Sequence, residues 1–265
     1  MPDTERVAGI SVVIPAFGRE APLLRSIDSV VTRAPDRVEI LVVDDCSPVP
    51  LGPLLPAANG SGVPVRAFRL PRNRGPQAAR NLGIRRARFS HVALLDSDDL
   101  FRADKIDRLL SLQATGMPDI LFHAVEGMER SNRVTGRWAK GGLVRGFRWF
   151  VAAYNPVITP GLVFRRANRL GPPGMRHCED WAFVLRLAGP GVTVGYLGEP
   201  LSAVVRAQGE AGGLSEQRWQ MRKGEFRARM LLWKERRLSV LPRVMLGSAF
   251  GLLRIAADLL RGRYS

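Results

Sequence analysis

Cysteine, histidine and lysine are scarce in this chain. Its 265 residues include three histidines and two cysteines, Cys46 and Cys178, and two cysteines alone make neither a disulfide framework nor a structural zinc site. A reducing compartment is the expectation. Aromatic residues make up only 7%, a thin supply of the stacking surfaces that a single-stranded nucleic-acid binder needs. Nowhere do 18 or more uncharged apolar residues run together; the longest candidate, 244–253, lies between Arg243 and Arg254, so no membrane span is expected. The first nine residues carry Asp3 and Glu5 and no long apolar stretch, which predicts no secretory leader.

A hydrophobic fraction of 46% over this length supplies the core of one large α/β domain or two small ones. The 40 basic and 24 acidic side chains give a net charge of +16, and lysine contributes only four of the 40. Such an excess implies anionic partners. Arginine suits phosphate recognition, yet the same bias accompanies a GC-rich genome, so charge alone does not choose the partner.

The first half alternates β-branched runs with amphipathic segments, the pattern of βαβ units building a mostly parallel sheet. Strands are expected at 10–14, 38–43, 65–70, 91–95 and 120–126. Helices are expected after Pro22, with Leu23, Leu24, Ile27, Val30 and Val31 on one face, and over 77–87 and 104–114. From Gly127 to Gly161 the periodicity weakens, as in an insertion or a binding surface. A helix over 179–188 and a strand at 192–196 follow. The tail from Arg218 holds twelve basic and three acidic residues. Residues 1–216 are therefore expected to form one α/β domain and 217–265 a basic, amphipathic helical extension. On a helical wheel Arg243, Arg254, Asp258 and Arg261 occupy one narrow face and apolar residues cover most of the rest. Such a helix suits an anionic membrane interface, and equally suits docking on its own domain or on a second subunit in a homodimer.

In an open parallel sheet ligands bind beyond the carboxyl ends of the strands. Two acidic clusters stand there, Asp44-Asp45 and Asp96-Ser97-Asp98-Asp99. Asp and Ser also begin turns and cap helices, but two clusters after two strands point to a metal-diphosphate site, with hard oxygen ligands for Mg²⁺ or Mn²⁺. Asn73-Arg74-Gly75 and Arg80-Asn81-Leu82-Gly83 bracket a helix start. There Arg80 can reach a base, ribose or phosphate, or can simply join Arg85, Arg86 and Arg88 on a solvated face. Glu179 and Asp180 can be read as favouring the start of their own helix.

Taken in order, Val12-Val13-Ile14-Pro15-Ala16-Phe17, Val42-Val43-Asp44-Asp45-Cys46-Ser47, Asn73-Arg74-Gly75 with Ala79-Arg80-Asn81-Leu82-Gly83, Leu94-Leu95-Asp96-Ser97-Asp98-Asp99 and Glu179-Asp180-Trp181 resemble the motif set of family 2 inverting glycosyltransferases with the GT-A fold. The resemblance covers roughly residues 9–216. It implies a nucleotide-sugar donor, UDP-linked in the leading expectation, and transfer to a glycan, cell-envelope polysaccharide or lipid-linked acceptor. Asp44 or Asp45 would contact the nucleobase, with Pro15 and Phe17 shaping that pocket and Arg80 assisting. Asp96 would lie near ribose with Ser97 beside it, Asp98 would bind the Mg²⁺ or Mn²⁺ ion, and Arg206 would serve the donor. Asp180 would be the general base, with Asp99, His177, Glu179 and Trp181 in supporting or acceptor positions.

Two departures from the family pattern stand out. Cys46 occupies a position where such sequences often carry glycine, so the turn after Asp45 is expected to differ and to bury a free thiol. Val205-Arg206-Ala207-Gln208 stands where a Tyr-Arg-x-His stretch is common, and Gln208 lacks an imidazole. The resemblance also implies a cytoplasmic enzyme, peripheral on the membrane if the tail binds lipid. The competing readings are a metal-dependent nucleotidyltransferase on a related sheet, which leaves Asp180 without a task, and a basic RNA-binding module, which the apolar strands disfavour; no nucleic-acid partner is expected.

Overall fold

Strand β1 (Ile10–Ala16) is buried along its whole length, as is β2 (Val38–Asp44) beside it. Continuous apolar runs of this kind belong to strands covered on both faces. The computed structural model describes residues 7–140, 143–144, 146–156, 158–166, 170–172, 174–175, 177–205, 218–236 and 241–260. The remaining strands are β3 (Val65–Arg69), β4 (His91–Leu94), β5 (Leu100–Phe101), β6 (Ile120–Glu126), β7 (Ala139–Lys140), β8 (Leu143–Val144), β9 (Leu162–Arg165) and β10 (Val194–Ala203). Among the described residues they form one ten-stranded sheet in the order β3-β2-β1-β4-β9-β6-β10-β8-β7, with β5 paired to β10.

The central pairs β3/β2, β2/β1, β1/β4 and β6/β10 are parallel. The expected parallel α/β sheet is therefore present, with one addition. Strand β9 enters antiparallel between β4 and β6, and its run of four residues carries no period that distinguishes it from a loop.

The helices are α1 (Glu20–Asp28), α2 (Pro76–Arg86), α3 (Lys105–Thr115), α4 (Glu129–Trp138), α5 (Phe147–Ala153), α6 (Glu179–Leu187), α7 (Arg218–Arg236) and α8 (Leu241–Leu260), with α7 packed on α6 and α8 on α5 and α7. Alternate residues of β1 feed two cores. Val12 and Ile14 pack with Leu23 and Ile27 of α1 and Ile106 of α3, while Val13 packs with Ile84 of α2 and Trp181 of α6. Helix α1 stops at Asp28 rather than continuing through Val31, because the β-branched run Val30-Val31-Thr32 leads to Pro35 and disfavours further helix. Gly83 brings α2 onto β1: a Cβ there would lie 2.4 Å from Val13 Cγ1. The segment 127–161, unassigned from sequence, supplies α4, the β7/β8 hairpin and α5 against the far end of the sheet.

Candidate active site

The carboxyl ends of β1, β2 and β4 deliver Pro15, Asp44 and the Asp96–Asp99 turn to one edge of the sheet. Asp44 and Asp45 then separate in role. The Asp44 carboxylate accepts hydrogen bonds from the backbone N–H of Ser47 at 2.7 Å and of Leu51 at 3.3 Å, and pairs with the Arg69 guanidinium. Burial would raise its pKa, but these donors hold it below the usual carboxylate range. Asp44 is thus committed to shaping the loop that follows it.

Asp45 reaches across to α2. Its two oxygens accept the N–H groups of Arg74 at 2.8 Å and Gly75 at 2.7 Å, so a carboxylate sits at the positive end of that helix. Gly75 adopts φ +86°, which an L side chain resists, and Pro76 opens the helix where no N–H is needed.

One turn into α2, Arg80 is buried, unlike Arg85, Arg86 and Arg88, which are exposed. The solvated-face reading therefore fails for Arg80 alone. Its guanidinium donates to Asp96 Oδ1 at 2.7 Å and to Glu179 Oε1 at 3.3 Å. Burial would lower its pKa, but the charges of Asp96 and Glu179 hold it above the ordinary arginine value. Asn81 exchanges hydrogen bonds with the backbone of Gly171, at 3.0 and 2.9 Å, and ties the approach to α6 onto α2.

Within the second acidic cluster, Asp96, Ser97 and Asp98 are half-buried and Asp99 is buried. Asp98 pairs with Arg19 at 2.9 Å, a partner that sequence reasoning missed although Arg19 follows the carboxyl end of β1 directly. Burial, together with the charges of Asp96 and Asp98, pushes Asp99 up to about 8. Asp99 accepts the N–H of Val205 at 3.3 Å. Pro15 is buried and Phe17 is exposed.

Glu179 and Asp180 open α6. Glu179 is buried, and burial with the neighbouring Asp180 charge pushes it up to about 7 against the pull of Arg80. Asp180 is more open, and its Oδ1 accepts the N–H of Trp181 at 2.7 Å. Two opposed influences act on it, the helix N-terminus and a dry surrounding. Burial prevails and its pKa is raised, against Arg80 and the Trp181 N–H.

Trp181 itself belongs to the core rather than to an acceptor position, because its indole is fully buried and donates to Val151 O at 2.7 Å. His177 is half-buried, and its Nε2 has no hydrogen-bond partner among the described residues. Arg206 and Gln208 lie outside the described residues.

The two cysteines have a common geometry. Among the described residues, Cys46 at φ +64° and Cys178 at φ +57° are the non-glycine residues in the left-handed region, and each adjoins an acidic pair. Cys46 thus adopts a backbone that glycine would take freely, and it is half-exposed rather than buried as expected. Cys178 is buried, and its Sγ donates to Met221 O at 3.4 Å.

A divalent cation fits the donor set of the 96–99 turn. The turn offers hard carboxylate oxygens, and a cation would offset the Asp96 and Asp98 charges that add to burial in raising Asp99. Among the described residues no group of three His, Cys, Asp or Glu is arranged to enclose a metal.

Comparison with known proteins settles the family. The profile of Glycosyl transferase family 2 matches residues 11–170. The chain belongs to this family. Among curated family 2 relatives, the succinoglycan biosynthesis protein ExoO of Rhizobium meliloti is 39% identical over 173 residues, covering 64% of this chain and 47% of its own length. A teichuronic acid biosynthesis glycosyltransferase named as putative, TuaG of Bacillus subtilis, is 30% identical over 38% of this chain and 40% of its own. The chain thus spans less than half the length of these relatives. Among solved structures, S. aureus TarS 1-349 in complex with UDP-GlcNAc superposes with a TM-score of 0.66 at 17% identity, covering 91% of this chain and 71% of that one. The fold is the GT-A fold expected from the sequence.

Proposed function

We propose that this family 2 member is an inverting glycosyltransferase that moves a sugar from a nucleoside-diphosphate donor, UDP-linked in the first instance, to a hydroxyl of a cell-envelope glycan or lipid-linked acceptor. Residues 1–216 form the transferase domain in this reading and 217–265 its helical extension. The observation that carries it is the Arg80 bridge, which joins the strand-end turn at Asp96 to the acid pair at the start of α6. Donor-side and acceptor-side carboxylates are thereby held in one cluster. The nucleotide chemistry is supported by a neighbour of the same fold in complex with UDP-GlcNAc.

In this reading Asp45, Pro15 and Phe17 receive the base, while Asp96 and Ser97 lie by the ribose. Asp98 would hold Mg²⁺ or Mn²⁺, whose chemistry there is to neutralise charge on the diphosphate as it leaves. A solved neighbour, a mannosyltransferase from Pyrobaculum calidifontis, is in complex with GDP-Man and Mn²⁺. Asp180 is the more open of the α6 acids, and its raised pKa makes it a better base than an ordinary aspartate. It takes the proton from the acceptor oxygen as that oxygen attacks the anomeric carbon from the face opposite the leaving diphosphate, inverting configuration. Buried Glu179 cannot meet an acceptor directly and instead anchors Arg80.

Calorimetric titration of UDP and other nucleoside diphosphates, with and without Mn²⁺, tests the donor side. Affinity should rise with metal in the wild type and not in Asp98→Ala; identical behaviour of the two removes Asp98 as the metal ligand. Asp180→Asn should keep donor affinity and lose transfer by roughly 10²–10⁴-fold, with free nucleoside diphosphate rather than pyrophosphate as the product followed. Undiminished turnover removes Asp180 as the base.

A further inference from the structure

Helix α7 divides sharply between its faces. Gly224, Glu225, Ala228, Arg229 and Leu232 are buried against the protein. On the opposite face Trp219, Phe226 and Trp233 stand exposed, interleaved with exposed Lys223, Arg227 and Lys234. These positions recur at intervals of three and four and so form one stripe along the helix. Lys223 Nζ lies 5.5 Å from the Trp219 ring centre.

Helix α8 lies beside α7 and α5, and among its described side chains Val244, Gly247 and Gly251 are buried. A Cβ on Gly247 would collide with Ala152 O, and one on Gly251 would fall 3.1 Å from an Arg229 guanidinium nitrogen, so two glycines let the helix dock closely. Its outward arc carries Met245, Leu246, Phe250, Leu252, Leu253 and Leu260, with Leu252 and Leu253 67% and 66% exposed. The sequence left open whether this tail meets its own domain, a second subunit or a membrane; the inner face of α8 meets its own domain.

We propose that the outward faces of α7 and α8 form a docking surface for an anionic lipid bilayer, on which the protein lies without crossing it. Three observations support this occupant. Helix α8 presents an apolar arc along 20 residues, roughly 30 Å, yet among the described residues no helix is long and apolar enough to span a membrane. The α7 stripe couples tryptophan with lysine and arginine, side chains whose apolar bodies and polar tips suit the headgroup boundary. Its charge is complementary to lipid phosphate, and the acidic Glu225 on the same helix is buried against Arg222, away from that face. A second copy of the chain would bring the same positive stripe and the same net +16, which makes lipid the better match.

The placement relates to the reading proposed above, on which its use for a lipid-linked acceptor rests. Helix α7 packs along α6: the His177 carbonyl abuts Gly224, and Cys178 bonds to Met221 O. The start of α6 thus lies one helix layer beneath the proposed lipid face, and a lipid-linked acceptor held at that face would present its hydroxyl toward Asp180.

Flotation of the full chain with vesicles tests the surface, using phosphatidylcholine alone and an equimolar mixture with phosphatidylglycerol. The wild type should float with the mixed vesicles and release in high salt. K223E/R227E/K234E should lose partition into the mixed vesicles by roughly a hundredfold, and L252E/L253E should lose binding to both compositions. All five positions are exposed, so thermal unfolding by circular dichroism should match the wild type and exclude misfolding as the cause. Absence of flotation with mixed vesicles overturns the proposal, and so does a wild-type dimer in light scattering that L252E/L253E dissociates. UDP titration run in parallel keeps the two readings apart: UDP binding without flotation defeats the lipid surface alone, and flotation without UDP binding defeats the donor site alone.

Discussion

Replacing Glu179 by glutamine should make the protein more stable in alkaline buffer and leave it unchanged in acid. The Glu179 carboxyl is buried, faces Asp180, and has its pKa moved from 4.5 to about 7 even with Arg80 donating to it. A carboxyl raised in the folded state favours its protonated form there. Its stabilising contribution is complete below the unfolded value of 4.5 and is lost as pH climbs through about 7. At about 1.4 kcal/mol per pKa unit, ionising it within the fold costs about 3 kcal/mol above pH 8. Glutamine reproduces the shape of the neutral acid, can still accept from Arg80, and never ionises. For a chain of this size each kcal/mol moves Tm by roughly 2–4 °C, so the variant should melt roughly 6–12 °C higher at pH 8.5 and coincide with the wild type at pH 4. Scanning calorimetry across that range measures it. Equal melting temperatures at pH 8.5, or a gain of the same size at pH 4, would refute the electrostatic reasoning.

Two further perturbations probe the scaffold behind the site. Gly83→Ala places a methyl group in the space of Val13 Cγ1 and should cost about 1–3 kcal/mol in urea unfolding despite the better helix propensity of alanine; an unchanged midpoint would show that α2 can move off β1 freely. Lys105 is fully buried, with Nζ 2.7 Å from Pro160 O and 3.0 Å from Ser202 Oγ, and burial depresses its pKa well below 10.5. Stability should therefore fall as pH drops from 10.5 toward the depressed value. Lys105→Met should flatten that slope and equal or exceed the wild type by about 1–4 kcal/mol at neutral pH, because Ser202 still donates to Pro160 O. Parallel stability–pH curves for the two proteins would contradict the assignment.

The central strands were legible because β1, β2, β4 and β6 are runs of apolar residues whose burial on both faces leaves no other place for them. The acidic clusters were legible because carboxylates at strand ends have few structural reasons to accumulate. Strand β9 was not, since Leu162–Arg165 is too short to show a period. The separate fates of Asp44 and Asp45 are also invisible in sequence: adjacent carboxylates differ only in which loop folds back to meet them, and those loops contribute Leu51 and Arg74. Arg80 shows the same limit. Its burial depends on Glu179, 99 positions away, whereas its neighbours along the helix share its chemistry and remain in water. On α8 packing placed Gly247 and Gly251 inward, a choice set by how closely Arg229 and the Ala152 carbonyl approach and invisible on a helical wheel.

The two thiols offer a pair of built-in reporters, each beside a different half of the cluster. Cys46 is open enough to be labelled in the native protein, and a bound nucleotide crowding the neighbouring Asp45 turn would slow that labelling. Cys178, sealed beneath Met221, would react only when α7 lifts away from α6. Their relative alkylation rates would time donor entry and helix detachment independently in one unmutated sample.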